Sequence, residues 1–290
     1  MTALAENLVV ERTKAPIGRL LRAELRFMLR RPRTLIGLGL LALVPIIATI
    51  GLSIAAGSAE NNQGGDPALQ GLSAIIDGNG LLVPIFVLVI MLVMMLPLFG
   101  AMWSADALAG EAATGGLRGL LLAPVSRTRL LAVKAFGVAT LCLLAVTLVA
   151  VVGAVSGVLI LGGGNGMLTI SGSTLGVGSA IARIALVVVL VTIQLWAVAA
   201  VALAISACTE HPLVVLATTL GGLVLFSVLG NIAALDWLHP VLLTSGFDSI
   251  ADVVRDPMPT GSMTEAVLRA ACYILIGYSL SLARLSTKDG

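Results

Sequence analysis

The sequence is poor in charge, aromatic rings, histidine, cysteine and, above all, lysine. Only 11% of its 290 residues are Asp, Glu, Lys or Arg, against 58% apolar. Soluble domains carry about 25% charged and roughly 45–50% apolar residues. The deficit excludes an ordinary soluble enzyme, a disordered chain and a basic nucleic-acid-binding arm, so no nucleic-acid partner is expected. Mean hydropathy is +1.08, and lipid must be the solvent for most of the chain. Cys142, Cys208 and Cys272 lie far apart without metal-ligand spacing and read as small packing residues. The two histidines, His211 and His239, are placed on opposite sides of the membrane by the topology below. That leaves no metal cluster and no serine–histidine pair for intramembrane hydrolysis, and no catalytic residue is assigned.

The lysine shortage excludes more. A phosphate-binding loop needs Gly-Lys followed by Ser or Thr. The three lysines, Lys14, Lys134 and Lys288, follow Thr13, Val133 and Thr287. The chain is therefore not its own P-loop ATPase. Buried ionisable residues, the usual mark of gradient-driven transport, are missing from the interiors of most apolar stretches. Arg183 falls near the outer end of one. Arg269 falls in another, four residues after Glu265, a spacing that lets the two pair on one helix face.

What is present is six stretches long and apolar enough to span a bilayer: 34–56, 81–105, 135–161, 181–207, 213–234 and 264–285. Pro84 and Pro97 are expected to bend the second. Basic residues alternate between the connections. The segment before the first span holds Arg12, Lys14, Arg19, Arg22, Arg26, Arg30, Arg31 and Arg33; the loop 106–134 holds Arg118, Arg127, Arg129 and Lys134. Loops 57–80 and 162–180 have no Lys or Arg, and 236–263 has only Arg255 against four aspartates. The positive-inside rule then puts both termini in the cytoplasm. The expected fold is all-α: an integral membrane protein with six transmembrane helices. It divides into a cytoplasmic segment 1–33, a transmembrane domain 34–285 and a tail 286–290.

Within the N-terminal segment, Arg19, Arg22, Arg26 and Arg30 recur every three or four residues, opposite a stripe of Leu21, Leu25 and Met28. This is an amphipathic helix, ended by Pro32, suited to lie among lipid headgroups. Few polar residues fall inside the spans. Thr192, Gln194 and Asn231 either bond between helices or line a substrate path.

The loop after the second span starts with Ser104 and Asp106 as candidate caps. A helix-favouring run holding Glu111 follows. Then come Gly115 and Gly116, an apolar patch of Leu117, Leu120, Leu121 and Leu122, then Pro124, Ser126, Arg127 and, further on, Lys134. A short helix with a leucine patch suits a partner's groove. The order Glu, Gly-x-Leu, Leu-Leu-x-Ala-Pro, Ser-Arg and Lys resembles the cytoplasmic loop of ABC-2-type transporter permeases. Gly116 replaces the usual threonine, and one residue fewer precedes the proline.

The resemblance implies a permease subunit without its own cofactor, working with two copies of a separate ABC ATPase subunit that bind ATP and Mg²⁺. A second permease copy or a paralogue would complete the pathway in the bacterial cytoplasmic membrane. It implies that Glu111, Gly115, Leu117, Leu120, Leu121, Pro124 and Arg127 form a coupling helix and its exit, with the Arg19–Arg30 helix nearby. The expected cargo is a hydrophobic or amphipathic small molecule or lipid, moved outward. An ion-gradient-driven carrier and a non-transporting scaffold are the alternatives.

Overall fold

The computed structural model describes residues 17–61, 78–113, 126–164, 166–169 and 171–287. Helix α1 (Ile17–Arg30) is amphipathic and stops at a bend on Arg31, because Pro32 disfavours α geometry in the residue before it. Pro32 then opens α2 (Pro32–Asn61), where its missing N–H leaves no helical bond unmade. Five helices are long and apolar enough to cross a membrane: α2, α6 (Arg127–Leu161), α7 (Val177–Cys208), α8 (Pro212–Gly230) and α10 (Thr260–Thr287). At 1.5 Å per residue α6 is roughly 52 Å long, well beyond a hydrocarbon core of about 30 Å, so it projects past the lipid.

A sixth candidate crossing is a bent pair of helices. Helices α3 (Val83–Val93) and α4 (Met95–Ala107) meet at a 57° bend. Pro97 causes it. Its ring has no N–H for the Val93 carbonyl and collides with it, and the chain breaks beside that carbonyl, at Met94 (φ −144°). Pro84 does not bend the span, contrary to expectation. It sits in the first turn of α3, where the absent N–H is harmless. The pair still traverses the bundle. Gly80 packs against Gly157 near one end of α6, and the continuation α5 (Ala109–Ala113) reaches Lys134 near the other.

Two ends can therefore be distinguished. The basic end carries α1, α5, the start of α6 and the last turn of α10. The far end carries a small antiparallel hairpin, β1 (Gly166–Leu168) and β2 (Thr174–Gly176), with Met167 opposite Leu175. Asn79 ties the hairpin down. Its Nδ2 donates to Leu168 O (2.8 Å) and its Oδ1 accepts from Leu168 N (3.1 Å).

Helix α7 is the centre of the bundle, touching α3, α4, α6, α8 and α10. Its tightest seam is with α10: a Cβ on Gly277 would stand 2.7 Å from the Ala200 carbonyl. Only small residues permit that approach, which in lipid replaces the hydrophobic drive to associate. Polar side chains stitch the same bundle. Thr49 and Ser156 hydroxyls meet at 3.0 Å, Ser104 donates to Ala199 O (3.0 Å) and Trp196 to Ala139 O (2.9 Å). Each removes a polar group from contact with lipid. Large apolar side chains on the outer surface, such as Ile36, Leu213, Leu225 and Leu275, face the acyl chains.

The stretch between α8 and α10 is not the open loop expected from its acidic residues. It is instead a packed cap of two 3-10 turns (Ala233–Leu238 and Ala251–Val254) around the short helix α9 (Ser245–Asp248). Leu243, Phe247, Ile250 and Val254 are buried. The cap closes the far end against α3, α7 and α10.

Candidate functional site

Almost every charged side chain lies outside the spans, so the exception at the basic end is informative. Lys134, on the second turn of α6, is 3% exposed. Its Nζ donates to Glu24 Oε1 on α1 (2.9 Å) and to Glu111 Oε1 on α5. Arg31, between α1 and α2, reaches the same Glu111 oxygen at 3.5 Å, its guanidinium stacked 4.3 Å over the Phe27 ring. Two anions and two cations from separate segments thus pair in one cluster, with Arg129 beside them in the same groove. Opposite charge and mutual hydrogen bonding are what make buried charge tolerable.

Local packing sets the geometry. Gly137 lets α1 lie directly on α6: a Cβ there would stand 2.7 Å from Met28 Sδ. Met28 is buried in this seam, which brings Glu24 one turn back onto Lys134. On the other side, Ser104 does not cap a helix start as expected. It is buried inside α4 and donates to Gly100 O and Ala199 O. The chain kinks at Leu108, and Ser206 of α7 accepts from the Ala109 N–H (3.0 Å). That cross-helix cap aims α5, and with it Glu111, back toward α6. A groove of about 310 Å³ opens over the cluster between α1 and the first turns of α6, lined by Leu20, Phe27, Leu130 and Val133 among others.

Arg127 serves a second connection. Its Nη1 donates to Leu285 O (2.9 Å) and Ser286 O (3.0 Å), the open carbonyls ending α10. A cation there also suits the helix dipole. The residues leaving α5 and entering α6 are thus linked to α1, to the α1–α2 junction and to α10 at once.

Other expected residues are distributed as follows. Gly115, Leu117, Leu120, Leu121 and Pro124 lie outside the described residues. Arg19, Arg22, Arg26 and Arg30 are exposed along α1, opposite the face that packs. Thr192 is buried and bonds back to Val188 O (2.6 Å). Gln194 is 1% exposed, donates to Ala266 O (3.2 Å) and packs on Gly246. Asn231 ends α8 some distance along the chain from both and borders a cavity at the far end. Arg269 does not pair with Glu265. It donates to Leu242 O (3.0 Å) and the Ser245 hydroxyl, because the cap folds against α10 at that level.

Sequence reasoning missed Glu24 and Arg31. Glu24 is the one acid in α1, a signal visible beside the single lysine of the central spans, though their contact joins residues 110 positions apart.

Fold and cluster together define a multi-pass α-helical membrane protein most of whose basic residues gather at one end. The model of the ABC-2 family transporter proteins matches residues 19–271, and the chain belongs to that family. The match begins on α1 and ends within α10, so it contains the whole cluster. No curated protein matches the sequence. The chain is accordingly an ABC transporter permease, the transmembrane component of such a transporter.

Proposed function

We propose that this permease exports a hydrophobic or amphipathic small molecule or lipid from the bacterial cytoplasm. Two copies, or one copy and a paralogue, form the pathway. Two separate ABC ATPase subunits bind ATP and Mg²⁺ beneath the basic end, which faces the cytoplasm by the distribution of Arg and Lys. The segment from Glu111 to Leu122 is the coupling helix, with Leu117, Leu120 and Leu121 in the ATPase groove.

The observation that carries this reading is the placement of Lys134. The residues flanking the coupling segment are Glu111 and Arg127, and each is tied to a different crossing. Movement of the segment pulls on Lys134 through Glu111, on α1 through Glu24 and on α10 through Arg127. The cluster acts as the joint that passes ATPase closure to the spans. The exposed arginines of α1 hold that helix among anionic headgroups while the joint moves.

The test is co-purification with the ATPase encoded nearest to this chain. Glu111→Ala combined with Leu121→Asp is expected to release the ATPase or abolish substrate-stimulated turnover, with membrane insertion intact. Full ATPase affinity and normal stimulated turnover in that variant rule the assignment out. Transport in proteoliposomes by the chain alone, driven by an imposed ion gradient, points instead to a secondary carrier.

A further inference from the structure

The far end holds a cavity of about 410 Å³, in the size range of small-molecule sites. It lies within a single chain, where the α3–α4 break faces α8 beneath the cap. Its wall is apolar: Met94, Leu220, Leu223, Val224 and Phe247. Its rim is polar and lopsided in chemistry. Among the described residues no lysine or arginine lines it, and its donors are the neutral hydroxyls of Ser227, Thr244 and Ser245, the Asn231 amide and the His239 ring, several of them already engaged. Asn231 Nδ2 donates to Ser227 O (2.7 Å). His239 Nε2 lies 2.8 Å from Gly230 O; a carbonyl only accepts, so Nε2 carries the hydrogen. The Ser245 hydroxyl donates within the cap and accepts from Arg269.

The acceptors beside them include a carboxylate, Asp248. Asn231 Oδ1 and, in the neutral ring, His239 Nδ1 are acceptors. Pro97 has no N–H to give the Val93 carbonyl, and Val93 borders the cavity. Asp248 stands on the rim with no hydrogen bond or ion pair among the described residues. A carboxylate and several neutral acceptors over an apolar wall select a ligand with a donor-rich, positively charged head and an apolar body.

We infer that this cavity binds an amphipathic amine, its ammonium group on Asp248 and its apolar body against Met94, Leu223 and Phe247. The inference deepens the transport reading by naming a substrate class, and it rests on that reading for the purpose of the site. Binding itself requires no ATPase, so the two are separable.

The probe is dansylcadaverine, a primary amine on an aromatic body, compared with its uncharged N-acetyl form. Both are titrated against the full chain in nanodiscs, with empty nanodiscs subtracted. The amine is expected to bind saturably and at least about tenfold more tightly than the acetylated probe. Asp248→Asn is expected to abolish that preference while leaving the acetylated probe's affinity unchanged, which also shows that the pocket is still formed. Val224→Trp, which fills the cavity from a half-exposed position, is expected to remove both. Equal affinities for the two probes in the unmodified chain overturn the inference. So does a preference that survives Asp248→Asn, or binding undisturbed by Val224→Trp. Failure of the unmodified chain to associate with the ATPase, with probe binding intact, overturns the transport reading and leaves the site standing.

Discussion

The two ends of the bundle use positive charge differently. At the basic end Lys134 and Arg31 meet carboxylates, Glu24 and Glu111, carried on separate short segments. At the far end Arg183 and Arg255 also pair with Asp256 (3.6 Å) and Asp252 (3.2 Å), but Arg183 and Arg269 direct their hydrogen bonds mainly to backbone. Arg183 donates to Val253 O (2.9 Å) and Arg255 O (3.0 Å), and Arg269 to Leu242 O (3.0 Å). A carbonyl staple is hard to move, because releasing it strands acceptors on a packed chain. Side-chain ion pairs can slide and re-form as their segments shift. The contrast places a pinned cap at one end and a joint at the other. Arg127 is the exception that completes the linkage, since its carbonyl bonds fasten the joint to α10.

The contrast can be broken most severely at Lys134. Lys134→Met leaves Glu24 without its lysine partner and the buried Glu111 with the longer Arg31 contact, and a loss of about 3–5 kcal/mol is expected. Thermal unfolding in detergent measures it. Adding Glu111→Gln should return part of that loss. If the two losses simply add, the pair is not coupled.

Arg269→Ala is the matching lesion at the pinned end. Losing charge-assisted bonds to Leu242 O and Ser245 costs about 1.5–3 kcal/mol. The effect should be local. Amides between 241 and 255 should exchange at least about tenfold faster while those of α1 are unchanged. Faster exchange at α1 as well would mean that the ends are not mechanically distinct.

Thr49→Val tests the middle, where the Thr49–Ser156 bond joins α2 to α6. Interhelical bonds of this kind average about 0.6 kcal/mol in membranes, so stability should fall little and neither end should loosen. A loss comparable to that at Lys134 contradicts the division.

The smallest effect is with pH. Burial, and then the neighbouring Asp252, raise the Asp248 carboxyl above its ordinary 3.8, against a smaller lowering by His239. The folded state thus holds the proton more tightly than the unfolded chain. The stability this contributes is fully present below pH 3.8 and is lost as pH rises through the raised value. At neutral pH the charged group is a slight burden, and Asp248→Asn should be no less stable than the unmodified chain. A clear destabilisation by that substitution means the carboxylate has a structural partner.

Much of the fold was legible because length in lipid decides it: a run of about twenty apolar residues has few alternatives to a crossing helix. The amphipathic α1 was equally open to reading, its four arginines spaced on one face. The bend was half legible. Both prolines invited one, but only Pro97 has a preceding helix, α3, whose last carbonyl, that of Val93, lies four residues back. The cap was missed although Leu243, Phe247, Ile250 and Val254 are spaced four, three and four apart, a buried helical stripe. The acidic residues around them drew the reading toward solvent. The joint was legible only in pieces. Glu111 and Lys134 belong to the loop pattern, but their meeting with Glu24 depends on the Gly137–Met28 seam and the Ser206 cap. No local periodicity predicts contacts of that range.

The central claim is that the Lys134 joint converts partner ATPase work into movement of the spans. The most direct measurement is the number of ATP molecules hydrolysed per substrate molecule transported by the reconstituted complex, compared with the same complex carrying Lys134→Met. Retained ATP hydrolysis with transport reduced at least tenfold is the predicted result. An unchanged ratio of ATP hydrolysed to substrate moved in the Lys134→Met complex would contradict the account.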